Sequence, residues 1–375
     1  MKVIFLSNYL THHQLPFCRE MHRILGDNFL FLATNQMDEE RVKMGWELNI
    51  SGYSFAHFYD DNWEEYEKEL LQCEVVICGG THHMYIRNRL EMGKITFRYF
   101  ERIYKTGRIH AFSPKSYRNK LKEHTRYRKK PVYLLCAGAY VPLDFHLFFS
   151  YPGKMLKWGY FPDCMEYEEE MFAGKNTREI LWTGRMLGWK HPKDALWLAR
   201  ELKKKQISFH LTMIGEGEKR EYVQELIEQW HLQQDVTLLD FVTPQTVRQF
   251  MEKSGIYLMT SDEQEGWGAV VNEAMNSACS VVANKRAGCV PYLLKDGENG
   301  MVYRSRGELL AKTMELLEKP DLQKQLGKQA YQTIVEKWNA NVAARRFITF
   351  CESVLAGREE FFETDLLSQA KVIRW

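Results

Sequence analysis

The sequence predicts an α/β fold of two consecutive doubly wound units, each a parallel sheet covered by helices. Short apolar runs alternate with longer stretches of helical spacing, the pattern of strands buried on both faces between amphipathic helices. At 375 residues the chain exceeds one ordinary core, since ~150 residues is the usual size of a domain. A passage with Pro and Gly from Tyr151 to Asp163, followed by the acidic Glu166–Glu170, interrupts the alternation and reads as a linker. The chain divides accordingly into residues 1–163, residues 164–340 and a final helical segment, residues 341–375.

Taken in order, Val3–Ser7 reads as a buried strand, Thr11–Leu25 as a helix and Phe29–Thr34 as a second strand. An acidic helix over Asn62–Leu71 leads into a strand over Glu74–Cys78 that ends at Gly79-Gly80, and Val132–Cys136 is a further strand. The second series begins with strand Glu179–Thr183, helix Lys193–Lys204, strand Ser208–Ile214 and helix Lys219–Gln229. It continues with strand Val236–Leu238, helix Gln245–Glu252, strand Ile256–Thr260, helix Ala269–Ser277 and strand Ser280–Ala283. A last helix covers about Asn341–Leu355.

Composition excludes several classes. Hydrophobic residues at 45% and charged residues at 27% are the balance of a globular protein, and a net charge of +2 selects no partner. The apolar run Val3–Leu6 is too short for a signal peptide, and no stretch approaches the ~18 apolar residues of a membrane span. Eight scattered cysteines without a Cys-x-x-Cys pair predict reduced thiols in a cytoplasmic protein and no zinc site. The first strand runs into Asn8–His13 without a glycine, and Gly215-Glu216-Gly217 lacks the third glycine of a dinucleotide fingerprint.

The chemistry concentrates in the second unit. Its first strand ends in Thr183-Gly184-Arg185, followed by Lys190-His191-Pro192, with the proline suited to a first helical turn. Ligands of open α/β sheets sit beyond the carboxyl ends of strands, so Arg185 and Lys190 are placed as two cations for a diphosphate. Farther on, Glu265-Gly266-Trp267-Gly268 turns into a helix that carries Glu273. Glycines permit close backbone approach, and the free amides of a helix start attract anions. One carboxylate accepts two vicinal hydroxyls, so the two glutamates are suited to grip a sugar ring and a ribose.

From about Ile180 to Tyr303 these motifs resemble the donor-binding domain of the retaining family 4 glycosyltransferases, whose architecture is GT-B. The run Gly184-Arg185 … Lys190, then Ile214-Gly215-Glu216-Gly217, then Glu265 and Glu273 separated by seven residues, stand in that family's order. The resemblance implies two Rossmann-like domains facing a deep cleft, with a C-terminal helix crossing back to the first. It implies that Arg185 and Lys190 bind the donor diphosphate, Glu273 the ribose hydroxyls and Glu265 the transferred sugar. Gly184 and the amides of Gly266, Trp267 and Gly268 complete the site, with the base against Gly215, Glu216, Phe241 and Val242. This chain departs from the pattern at Asn8–His13 in place of a glycine loop. It also has Ala278-Cys279-Ser280 in place of Gly-x-Pro, and Trp267 in place of Phe.

In the first half, Thr81-His82-His83 follows a strand, and by the resemblance one of these histidines contacts the sugar. His12 and His13 follow the first strand on the acceptor side. No Asp-x-Asp accompanies them, so neither metal nor another cofactor is expected. Residues 98–130 hold twelve Lys or Arg, among them Arg126, Arg128, Lys129 and Lys130, against Glu101 and Glu123. Phe97, Tyr99, Phe100, Tyr104, Phe112, Tyr117 and Tyr127 are interleaved with them. Such a stretch suits an anionic membrane surface, here the inner face, or a lipid-diphosphate acceptor. A nucleic-acid partner would leave the second half unexplained. The expected function is transfer of a sugar, UDP-linked by preference, to a glycan or lipid-linked acceptor in cell-surface polysaccharide synthesis. The alternatives are a GT-B nucleotide-sugar epimerase and a non-catalytic nucleotide-sugar or lipid-binding protein.

Overall fold

The computed structural model describes residues 1–39, 48–107 and 113–374. Contacts divide the chain into two units, one of residues 1–163 with 339–374, the other of residues 164–338.

The first unit holds a seven-stranded parallel sheet: β1 Val3–Ser7, β2 Phe29–Ala33, β3 Ala56–Phe58, β4 Val75–Gly79, β5 Thr96–Phe100, β6 Val132–Ala137 and β7 Met155–Trp158. Their order is β3-β2-β1-β4-β5-β6-β7, so the winding reverses between β1 and β4. Every residue of β1, β4 and β6 is buried, as expected of parallel strands covered on both faces. The helix Leu15–Leu25 starts later than its apolar spacing suggests, because Thr11–Gln14 form a turn closed by amides of Gln14 and Leu15 on the Thr11 carbonyl. The helix Ala340–Leu355 packs on it: Phe347 lies edge-on to Phe17 at 6.1 Å and to Phe97 at 4.7 Å.

Two expectations are corrected here. The passage 151–163 is no simple linker, since β7 lies within it as the seventh strand, and Leu156 there bridges to Gln369. Residues 98–130, expected to offer their cations to an anionic surface, hold two of them in the core. Arg98 lies on β5 and is 2% exposed, and Arg102, at 4%, is buried beside Asp144, 3.5 Å away. The Asp144 carboxylate also accepts the amides of Ile103 and Tyr104 and so anchors the chain leaving β5. Phe112 lies outside the described residues.

The second unit holds six parallel strands: β8 Asn176–Thr183, β9 His210–Ile214, β10 Val236–Leu239, β11 Ser254–Met259, β12 Ser280–Asn284 and β13 Met301–Tyr303. Their order is β10-β9-β8-β11-β12-β13, with the reversal between β8 and β11. A core of Ile180, Trp182, Leu196, Leu211, Leu258 and Val282 fills one side of this sheet against the helix Pro192–Lys204. Ala278, where the resembled family has glycine, takes φ 53°, the left-handed region a glycine enters without strain.

Candidate functional site

The second sheet reverses direction between β8 and β11, and open α/β sheets bind ligands at such a switch point, beyond the strand ends. The loop after β8 carries Arg185 and Lys190; the loop after β11 carries Glu265. Although 75 positions apart, Lys190 and Glu265 form an ion pair, and both side chains are largely withdrawn from solvent. Arg185 is exposed on the same loop as Lys190.

Backbone contacts brace each loop. The Gly184 amide donates to the Ile214 carbonyl, and the Met186 amide to the Glu216 carbonyl at 2.6 Å. Gly215 and Gly217 make this approach possible. A Cβ on Gly215 would stand 2.1 Å from the Gly184 oxygen, and one on Gly217 2.8 Å from the Met186 oxygen. The Gly-Glu-Gly turn thus seats the cationic loop. Across the site, Gly288 lies so close to Gly266 that a Cβ would meet its carbonyl oxygen at 1.8 Å. The Gly288 amide donates to Glu265 and the Cys289 amide to Trp267.

Glu265-Gly266-Trp267-Gly268 leads into the helix Ala269–Asn276, whose N-cap, Gly268, has φ 96° and supplies no side chain to the first-turn amides. The Trp267 indole is fully buried, donates to Asn272 at 2.8 Å and packs 5.8 Å from Trp338, so its side chain belongs to the core. Glu273, half-buried, lies on that helix and, like Glu265, acts on Tyr257. Burial pushes the Tyr257 phenol far up, and both carboxylates push in the same direction. Tyr257 in turn holds Thr183, at 3.1 Å from its hydroxyl. At the end of β10, Phe241 is exposed and Val242 half-buried, and the Phe241 amide approaches the Glu216 carboxylate at 3.4 Å.

Two site residues escaped the sequence reading. His191 Nε2 lies 3.0 Å from Asp262 Oδ2, a second contact between the same two loops. The only signal for His191 is its place after Lys190, and nothing in spacing singles out Asp262.

In the first unit, His12, His13, His82 and His83 lie on the loops after β1 and β4, which flank the reversal of that sheet. His12 and His13 have ring centroids 3.8 Å apart, and His13 stacks on Tyr160. His82 is exposed and accepts the Met84 amide, capping a short turn. His83 is half-buried beside Tyr127, and burial and then the Arg98 cation push its pKa down to about 4. Arg126, Arg128 and Lys129 are exposed. Arg126 pairs with Glu91 at 3.5 Å, and Lys130 donates to the Glu91 carbonyl, so part of this charge is engaged locally. Among the described residues no group of three His, Cys, Asp or Glu is placed to hold a metal ion, and no helix is long and apolar enough to cross a membrane.

Residues 166–333 match the family model of group 1 glycosyl transferases. An amylovoran biosynthesis glycosyltransferase of Erwinia amylovora is 26% identical over 180 residues, covering 46% of this chain and 49% of that protein. A trehalose synthase of Pyrococcus horikoshii is 25% identical over 183 residues, covering 47% and 44%. The match thus spans about half the length of these relatives. Among solved structures, Anabaena HepE in complex with UDP superposes with a TM-score of 0.69 at 13% identity, over 95% of this chain and all of that one. WaaG, a glycosyltransferase of lipopolysaccharide biosynthesis, gives 0.59 at 13% identity, over 91% and 98%. The fold is that of the GT-B glycosyltransferases.

Proposed function

We propose that this chain is a retaining glycosyltransferase of the family 4 type. It moves a sugar from a nucleoside-diphosphate sugar, UDP-linked by preference, to a glycan or lipid-linked acceptor in cell-surface polysaccharide synthesis. The observation that carries the reading is the Lys190–Glu265 pair at the switch point of the second sheet, in front of a helix start with no side-chain cap. A cation and a carboxylate in contact suit a ligand that joins a phosphate to a hydroxyl-bearing ring.

In this reading the diphosphate lies against Arg185, Lys190 and the amides after Gly268, and Glu273 accepts the ribose hydroxyls. The sugar C1–oxygen bond to the diphosphate breaks as the acceptor oxygen bonds to C1 on the same face. The acceptor proton passes to the departing phosphate oxygen. The two cations and the helix start stabilise the charge that grows on the diphosphate, where preorganised electrostatics act most strongly. Glu265 orients the ring through its hydroxyls, and no divalent metal is required. An epimerase would return an isomeric nucleotide sugar with no net release of nucleoside diphosphate and no need of an acceptor, so the deciding assay is UDP release and donor isomerisation from UDP-sugars with and without glycan or lipid-linked acceptors. Acceptor-dependent release that survives EDTA supports the proposal. Acceptor-independent isomerisation, or activity restored only by magnesium or manganese, overturns its finer terms.

The exposed Arg126, Arg128 and Lys129 are assigned to contact with anionic lipid at the inner face of the membrane. Reversing them to Glu should weaken sedimentation with anionic vesicles, as should added salt. Absence of binding at low salt in the unmutated protein would refute this assignment.

A further inference from the structure

We propose that His191 and Asp262 form a titratable latch between the loops after β8 and β11, and that this latch positions Lys190 against Glu265 for the donor; the role rests on the glycosyltransferase reading above. Three contacts tie these loops beside the ion pair. The Asp262 amide donates to the Trp189 carbonyl at 3.0 Å. The Thr260 hydroxyl, itself receiving the Trp182 indole N–H at 2.8 Å, donates to the Lys190 carbonyl at 2.5 Å. His191 Nε2 meets the Asp262 carboxylate at 3.0 Å. The first two are neutral and insensitive to pH, whereas the third joins two ionisable side chains.

The backbone of His191 supports a dedicated role. It has φ 50° and ψ 49°, the left-handed region that a non-glycine residue enters at a cost of roughly 1–2 kcal/mol, and it precedes Pro192 at the start of a thirteen-residue helix. Glycine or asparagine would meet that geometry more cheaply, but the imidazole reaches Asp262. The partner is equally fixed. Asp262 Oδ1 accepts the Gln264 amide at 2.8 Å, and the Asp262 carbonyl accepts the Glu265 amide at 3.1 Å, so its side chain and backbone together shape the turn that presents Glu265.

The charges around the imidazole agree with this role. The hydrogen bond to Asp262 raises the His191 pKa above its usual value against the effect of burial, and Asp194, Asp262 and Glu263 add to the rise. Asp194 is itself held by Arg306 and Glu263 by Arg286. Burial opposes ionisation of Asp262, yet the bonds from His191 and the Gln264 amide keep its carboxyl below the usual range. The charged latch is therefore complete below the ordinary histidine pKa and is lost as pH rises through the raised one.

Two measurements test the latch. In the ligand-free protein, the His191 ring, identified in proton NMR by its loss in His191→Asn, should titrate above ~6.5, the ordinary histidine value. Its pKa should fall in Asp262→Asn. In calorimetry, the affinity of the unmutated protein for UDP should fall about three- to ten-fold from near pH 6.5 to near pH 8.5, the worth of charge in one hydrogen bond. His191→Asn keeps a residue tolerant of the left-handed backbone and removes the titrating ring, so its affinity should stay level across that range. A ring pKa unchanged by Asp262→Asn, or a His191→Asn variant with the unmutated pH slope, would overturn the proposal. Unmutated protein that binds no UDP at any pH would instead overturn the functional reading, and the ligand-free titration would still decide whether the latch exists.

Discussion

Replacing Gly288 by alanine sets a methyl carbon 1.8 Å from the Gly266 carbonyl oxygen and 2.8 Å from its carbon, both backbone atoms that no rotamer change can move aside. The turn at Glu265–Gly268 must withdraw until the contact reaches at least 3.0 Å. That movement strains the two bonds holding the turn, from the Gly288 amide to Glu265 at 3.2 Å and from the Cys289 amide to Trp267 at 2.9 Å. Overpacking costs about 1–3 kcal/mol and each lost hydrogen bond about 1 kcal/mol, so a loss of about 3 kcal/mol is expected. In a domain of this size that lowers Tm by roughly 6–12 °C. Withdrawal of the turn also carries the amides after Gly268 out of place for the diphosphate, which should weaken UDP binding at least about tenfold. Gly307→Ala is the control: Gly307 is exposed in a helix with only the Ser305 hydroxyl at 3.8 Å, so alanine there should be neutral or stabilise by up to about 1 kcal/mol. Calorimetric melting and UDP titration of both variants decide the matter. A Gly288→Ala protein with unmutated Tm and UDP affinity would refute the claim that close backbone approach builds this site.

Other perturbations have equally definite outcomes. Glu265→Gln should leave UDP binding equal or tighter, since Lys190 loses its anionic partner, while sugar transfer falls at least about tenfold in steady-state kinetics; a loss of UDP affinity would contradict the assignment. Arg89 is fully buried and donates to the carbonyls of Leu70, Cys73, Glu74 and Ile95 at 2.7–2.9 Å, so Arg89→Ala should cost about 3–5 kcal/mol in denaturant unfolding. His83, with its pKa pushed down to about 4, contributes stability that is present above the unfolded histidine value of ~6.5 and is lost as pH falls from there toward 4. His83→Gln should flatten that acid-side loss in urea midpoints measured across the window, and an unchanged slope would show that His83 is not the titrating group.

Legibility in the sequence followed burial. Strands β1, β4, β6 and β11 sit inside their sheets and read as apolar runs, as does the buried half of β8 at Ile180–Trp182. Strands β3, β7 and β13 lie at sheet edges with three or four residues each, too short to set a period. Strand β5 was disguised by Arg98, whose buried guanidinium donates to the Glu123 carbonyl at 2.9 Å and lies over the Phe100 ring. At the candidate site, the order of Arg185, Lys190, Glu265 and Glu273 was visible, but contacts between loops 75 positions apart were not. The glycines at 215 and 217 read only as an incomplete dinucleotide fingerprint. Their close packing under Gly184 and Met186 is a backbone property that one strand's sequence cannot express.

If the switch point between β8 and β11 holds a nucleoside diphosphate, calorimetry with UDP in EDTA detects it whatever the sugar or acceptor. The unmutated protein should bind UDP without metal, and Glu273→Ala should bind it more weakly by roughly 1.5–3 kcal/mol, about ten- to a hundred-fold, as expected for hydrogen bonds to a charged group. Equal affinity in the two proteins, or no UDP binding by the unmutated chain, would mean that this switch point does not hold the nucleotide.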